Sequence, residues 1–399
     1  MNRKFLIITI ALILISRVFL SIAVSGLREA NLSGGPHFYG FAQDEGLYNL
    51  KALMEAFRLK GMPSDPELYA RYFPRAYRYD ITQRESYGCN AYTGTLARFY
   101  YIFGFRPQTA RLINIFFNIM AFLLVFYLAK EIFSAKAAKI AAAVFAFFPS
   151  VVLWSVSFGV DMLVISGLLA FFFFLLRAFK GRSWVWFFAG VFFLIPVWTV
   201  RKFVVFLALI AALPVLAAMT PPALRKRLIA VLFLIIAVTG TFLFFSGSRT
   251  AEIFLKEKTS EMIQEQKAAS LDDESGYLIF PEHCYTGVAC GPGDVLKAYL
   301  KGMGYAVLSP FPWRIESKSQ LAAYPQMILW YLMLPFTIYG FYAGFKKNPR
   351  AATALFLFSF SVFSVMALLE GNIGSVFRHR DMVTPFLLIF FGGAFEKVI

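Results

Sequence analysis

DMLVISGLLAFFFFLLRAFKGR, residues 161–182, is apolar for most of its length, opened by a single acid and closed by Arg177, Lys180 and Arg182. Its apolar part has about the 20 residues that an α-helix needs to cross the hydrocarbon core of a bilayer, and its charges lie where headgroups and water would meet it. Comparable runs occupy 110–128 and 137–158 on one side of it, and 184–200, 203–220, 228–246, 326–345, 351–369 and 382–395 on the other. A further run, 5–24, follows Arg3 and Lys4. Arg17 inside that run is foreign to the core of a cleaved signal peptide, so the run reads as a retained first helix rather than a removed leader. The pattern predicts an all-α polytopic membrane protein, one integral unit over 1–399, with about ten transmembrane helices.

Composition agrees, since 59% of residues are hydrophobic, 16% are charged and Phe alone occurs 48 times, more apolar surface than a soluble core can hide. The formal net charge of +16 raises the question of nucleic acid. The basic residues sit in short clusters at the ends of apolar runs, where they set topology and meet anionic lipid, so nucleic acid is not an expected partner. Lys130, Lys136 and Lys139, then Arg177, Lys180 and Arg182, then Arg225, Lys226 and Arg227, then Lys346, Lys347 and Arg350 share a side with Arg3 and Lys4. By the positive-inside rule that side is cytoplasmic, with both termini, in a plasma (inner) membrane. Two long polar segments, 25–105 and 247–325, then fall outside. Leu47, Leu50, Leu53, Met54 and Phe57 recur at helical steps in the first, which predicts short amphipathic helices on the outer face. Cys89, Cys284 and Cys290 all lie in these segments, as an oxidising compartment allows, and Cys284 and Cys290 are placed to close a small disulfide ring. His283 beside them adds one imidazole, a set that matches no zinc pattern, so no metal site is assigned there.

Two outer turns carry positive charge against the orientation rule: Arg201 with Lys202, and Arg378 with His379 and Arg380. Either these side chains reach outer-leaflet headgroups, or they hold the phosphate of a substrate. Two acids accompany them. Asp44, with Glu45, opens a helical pattern and is either a helix cap or a carboxylate able to take a proton from an attacking acceptor. Asp161 is either a cap facing water or a second carboxylate of the same external cavity. In the first loop Arg71, Arg75, Arg78 and Arg84 alternate with Tyr72, Tyr77 and Tyr79, which reads as a solvated basic face or as contacts to an acceptor or diphosphate. Pro310-Phe311-Pro312-Trp313 is a rigid interfacial entry to the next helix or part of an acceptor groove.

The order of these parts resembles the GT-C superfamily, above all the protein-mannosyltransferase and aminoarabinose-transferase-like membrane glycosyltransferases. The resemblance spans most of the chain. It rests on Asp44-Glu45-Gly46-Leu47-Tyr48, on Phe103-Gly104-Phe105 followed by Arg111-Leu112-Ile113-Asn114, and on Val160-Asp161-Met162. Further on it rests on Trp198-Thr199-Val200-Arg201-Lys202, Pro310-Phe311-Pro312-Trp313 and Phe377-Arg378-His379-Arg380 before a final helix containing Pro385. It implies an inverting transfer of a sugar from a polyprenyl-phosphate carrier to a lipid, glycan or protein acceptor. Asp44 would be the base, with Glu45 and Asp161 the accompanying acids, and Arg201, Lys202, Arg378, His379 and Arg380 would grip the carrier phosphate. Tyr48, Arg71, Arg75, Arg78 and Arg111 are candidate acceptor or headgroup contacts. No cofactor is required, although Asp44 and Glu45 leave room for a divalent ion. The chain departs from the larger family members in having fewer helices and in carrying Asn90-Ala91-Tyr92-Thr93 where a His-Pro-Pro element is common. A transporter or flippase of lipid-linked glycans, a glycan polymerase or ligase, and a membrane scaffold are the competing readings. Transporters usually show repeats and charge at mid-membrane, whereas here the charges, Arg17 apart, sit at helix ends.

Overall fold

The computed structural model describes residues 2–30, 43–62, 90–105, 107–220, 247–271, 275–286, 290–314 and 318–396. Along these residues the helices run α1 (Asn2–Ala30), α2 (Gln43–Leu59), α3 (Ala91–Phe103), α4 (Pro107–Ile132), α5 (Ala135–Phe147), α6 (Pro149–Ser155), α7 (Asp161–Gly181) and α8 (Trp184–Trp198). They continue as α9 (Lys202–Met219), α10 (Gly247–Ser270), α11 (Glu282–Tyr285), α12 (Pro292–Leu308), α13 (Lys318–Lys347), α14 (Pro349–Leu369), α15 (Ile373–Arg380) and α16 (Thr384–Ala394). The chain is an all-α polytopic membrane protein. Among the described residues the one exception to helix and loop is an isolated antiparallel bridge between Gly276 and Asn372.

Among the described residues, six helices are long and apolar enough to cross a membrane, within Arg3–Ala23, Arg111–Ile132, Asp161–Gly181, Lys202–Met219, Ala323–Lys347 and Pro349–Leu369. The run read at 137–158 is broken: α5 and α6 meet at 59°. Pro149 is the cause, because its ring keeps Phe148 out of the α region, and Phe148 takes an extended φ of −65° and ψ of 126°. The pair counts as one bent span or as a re-entrant loop. The runs at 184–200 and 382–395 form helices shorter than a full crossing, and the run at 228–246 lies outside the described residues.

Burial follows membrane logic. Phe19, Val185 and Ile338 are 73%, 74% and 69% exposed on outward faces, where lipid would cover them. Inside, Phe172 of α7, Phe358 of α14 and Phe386 of α16 meet pairwise, with ring centroids 5.2–5.3 Å apart. Lipid tails are as apolar as these side chains, so helix association draws on close packing rather than on water exclusion. Glycines supply it: a Cβ on Gly340 of α13 would overlap the Phe390 carbonyl of α16, and one on Gly302 of α12 would overlap the Ala367 carbonyl of α14. A second apolar cluster joins α2 to α3, where Leu50, Leu53 and Ala56 pack on Leu96 and Ala97, and buried Tyr100 donates to Asn49 Oδ1 at 2.6 Å.

Two local devices aim the ends of helices at one another. The loop between α6 and α7 is held by Asn114 of α4, whose amide donates to the carbonyls of Ser157 (3.0 Å) and Gly159 (2.8 Å). The turn between α14 and α15 is held by the bridge at Gly276, with Tyr277 N donating to Gly371 O (2.7 Å) and Ile373 N to Ser275 O (3.1 Å). Asn372 then caps α15 by accepting from the amides of Gly374 and Ser375.

Candidate functional site

These devices bring together Asp161 at the first position of α7, Arg201 immediately before α9, and Arg378 and His379 on α15. Arg378 clamps Asp161 with Nε 3.1 and 3.0 Å from its two oxygens and Nη2 2.9 Å from Oδ2. Arg201 Nη2 stands 3.7 Å from Oδ1 of the same carboxylate. The three side chains are 4%, 11% and 15% exposed for Asp161, Arg378 and Arg201, so the ions are well shielded from water. Arg201 Nη1 lies 2.6 Å from His379 Nε2, and His379 Nδ1 pairs with Glu370 Oε1. The guanidinium of Arg378 also rests over the ring of Trp154, 5.6 Å from its centroid. The outcome is a continuous polar chain, Glu370, His379, Arg201, Asp161, Arg378, drawn from four separate parts of the sequence.

Asp161 is no water-facing cap. It is buried, and the capping position belongs to Val160, which makes no side-chain cap. The anion that the cationic turns call for is supplied in part by the chain itself, by Asp161 and Glu370. Burial alone would raise the Glu370 carboxyl, but the hydrogen bond it accepts from His379 Nδ1 and the nearby guanidinium of Arg201 act the other way and hold it below the usual carboxylate range. Gly159 is required at this point, because a Cβ there would stand 2.8 Å from Asp161 Oδ2 and 3.3 Å from Arg378 Nη2. Gly159→Ala is therefore expected to push the ion pair apart and to destabilise the folded protein by about 1–3 kcal/mol, read as a fall in melting temperature. An unchanged melting temperature would show that the loop takes the added methyl without disturbing the pair.

The remaining sequence candidates go elsewhere. Lys202 is exposed at the start of α9. Arg380, fully buried, donates to the carbonyls of Ser309 (2.8 Å) and Val307 (3.1 Å) and lies 4.9 Å over the Trp330 ring, so its guanidinium ties α15 to the end of α12. Arg111 is buried with Nη1 2.9 Å from Ser21 O and its guanidinium 4.5 Å over Phe158. Tyr48 is buried edge-on to Tyr92 at 6.1 Å. Asp44 and Glu45 occupy the first turn of α2, and their side chains lie outside the described residues, as do Arg71, Arg75, Arg78, Arg84 and Cys89.

Three residues to which the sequence reading gave no role have parts here. Glu370 closes the polar chain. Asp381 accepts from Ser150 Oγ (2.8 Å) and Trp154 Nε1 (2.6 Å), fixing the tryptophan beneath Arg378, and burial pushes its carboxyl up to about 6. Asn114 holds the Asp161 loop. The signal for the acids was charge balance: Asp381 directly follows Arg380, and Glu370 ends the apolar run just before the cationic turn.

Away from this cluster, Cys284 and Cys290 form a disulfide with Cα atoms 5.1 Å apart. His283, Cys284 and Asp294 have donor atoms within 4.8 Å of one another, but the Cys284 sulfur is tied in the disulfide. One imidazole and one carboxylate are too few ligands for a zinc site.

Residues 94–246 match the family model described as dolichyl-phosphate-mannose-protein mannosyltransferase. This is a GT-C-type glycosyltransferase family, in agreement with the resemblance read from the motifs. The matched segment contains Asn114, Asp161 and Arg201, and the second half of the cluster, Glu370 with Arg378 and His379, lies beyond it. The match supports a membrane glycosyltransferase, and the apolar helices fit a multi-pass one. No match was found among curated proteins.

Proposed function

We propose that this chain transfers a sugar from a polyprenyl-phosphate carrier to a lipid, glycan or protein acceptor, with inversion at the anomeric carbon, at the outer face of a plasma membrane. The observation that carries the reading is the convergence of Arg201 and Arg378 on buried Asp161 at the ends of membrane-length helices. A guanidinium has five N–H donors in a rigid fork, and a carboxylate that occupies some of them fixes the direction of the rest. Arg201 Nε is buried and has no hydrogen-bond partner among the described residues, which suits a group waiting for an anionic oxygen.

The chemistry follows from the donor. A polyprenyl-phosphate sugar is a phosphodiester with one negative charge. As the acceptor oxygen bonds to the anomeric carbon, the bond from that carbon to the phosphate oxygen breaks, its electron pair stays on oxygen, and the carrier leaves with a second charge. Arg201 and Arg378 neutralise that developing charge without reorganising at the moment of reaction. The acceptor proton goes to Asp44. Asp161, committed to the two guanidiniums, orients them and moves no proton. Lys202, exposed beside Arg201, meets the carrier or neighbouring headgroups, and Arg380 is given no part in holding phosphate. No metal enters these steps.

The test is purified protein in liposomes, offered a panel of polyprenyl-phosphate sugars one at a time. Consumption of one donor with release of polyprenyl phosphate is the expected result. Movement of the donor across the bilayer with no consumption would instead mark a flippase, and transfer of a whole glycan block from a diphosphate carrier would mark a polymerase or ligase.

A further inference from the structure

We infer that Glu370 is a positioning residue for Arg201, acting through His379 by choosing which imidazole nitrogen carries the proton. The inference rests on the reading of Arg201 as a phosphate-binding group. Arginine is only a donor, so at 2.6 Å its Nη1 requires His379 Nε2 to accept. The imidazole is then neutral with its proton on Nδ1, and that proton points at Glu370 Oε1. The carboxylate both selects this tautomer and polarises the ring, which strengthens Nε2 as an acceptor for Arg201.

Glu370 is itself firmly seated. It ends α14, its amide donating to Met366 O at 3.0 Å, and the Gln266 amide reaches its carbonyl at 3.5 Å. The adjoining Gly371 is fixed by Tyr277 N at 2.7 Å, so the bridge that shapes this turn also fixes the carboxylate. Without the acid the imidazole can place its proton on Nε2. A donor would then face the donor of Arg201, and the guanidinium would lose the contact that aims it past Asp161, where it is held at 3.7 Å. Glu370 touches none of the reacting atoms. Its influence is on the direction of one cation, and that cation matters most where the leaving phosphate gains its second charge.

Two readouts separate this role from ordinary structural support. The chain has three histidines, so nitrogen-labelled imidazoles can be assigned by comparison with His379→Gln. Wild type is expected to show His379 as the Nδ1-protonated neutral tautomer, and Glu370→Gln to shift it toward a mixture. In kinetics, Glu370→Gln is expected to raise the inhibition constant of polyprenyl phosphate about tenfold, with a smaller rise in KM for the singly charged donor, and Glu370→Asp to recover most of the loss. A Glu370→Gln protein with the wild-type tautomer and wild-type inhibition constant overturns the inference. So does a variant whose kinetic loss tracks a fall in melting temperature and is not recovered by aspartate. If wild type neither binds polyprenyl phosphate nor transfers from any donor, the glycosyltransferase reading falls, while the tautomer measurement still decides whether Glu370 governs His379.

Discussion

Asp161→Asn is expected to destabilise the folded protein by about 3–5 kcal/mol, because it removes one partner of a shielded ion cluster and leaves two guanidiniums facing each other. The amide keeps the size of the side chain and one acceptor oxygen, so the loss reports charge rather than packing. Arg378 spends three contacts on this carboxylate and Arg201 a fourth. None of these is a surface pair of the kind that contributes little. The double variant Asp161→Asn with Arg378→Gln should be less damaged than the sum of the single ones, by roughly 0.5–3 kcal/mol of coupling, since the second change removes one of the stranded cations. Thermal unfolding in detergent or bicelles measures both. Strict additivity, or an Asp161→Asn protein as stable as wild type, would mean that the cluster is too loosely held to orient anything.

How far the sequence carried this arrangement depends on the range over which each signal acts. Hydrophobic run length is local, and the runs at 5–24, 110–128, 161–179, 203–220, 326–345 and 351–369 all correspond to membrane-length helices. The bend at Pro149 is also a local rule, yet the apolar run continues through it unbroken, so composition hid what backbone sterics impose. The site is a different matter. Arg378 and Asp161 are 217 residues apart, and no periodicity links them. What the sequence did carry was the parts themselves: two cationic turns that stood out from the other basic clusters, and an acid at the head of α7. It did not show that the acid belonged to those cations, nor that Glu370 completed the chain, because pairing between distant helix ends is written in packing, in Asn114 bracing one loop and the Gly276 bridge bracing the other. Arg380 marks the converse error of assuming that neighbours in sequence share a task. On α15 it is two residues from Arg378, so the helix turns the two side chains apart, one to Asp161 and the other to the carbonyls at the end of α12.

Asp44→Asn is expected to insert, fold and bind polyprenyl phosphate like wild type while losing transfer by roughly 10²–10⁴-fold, the contribution of a well-placed general base. The case for a base outside the cluster comes from the cluster itself. A carboxylate that accepts from Arg378 on both oxygens and stands beside Arg201 gains little from taking a further proton, so Asp161 is poorly suited to the part. Asp44 opens α2 one helical turn before Tyr48, and Tyr48 packs on Tyr92, whose hydroxyl lies 3.4 Å from the Asn114 amide that also holds the Asp161 loop. Tyr48 of α2 is thereby joined to the loop that carries Asp161 through Tyr92 and Asn114. Labelled-sugar transfer and equilibrium binding of polyprenyl phosphate, measured on the same preparation, divide the possibilities. Full transfer by Asp44→Asn excludes Asp44 from the reaction, and loss in Glu45→Gln alone passes the role to its neighbour. A variant that loses carrier binding together with transfer would place Asp44 among the groups that hold the donor, leaving the acceptor proton to be taken by another residue.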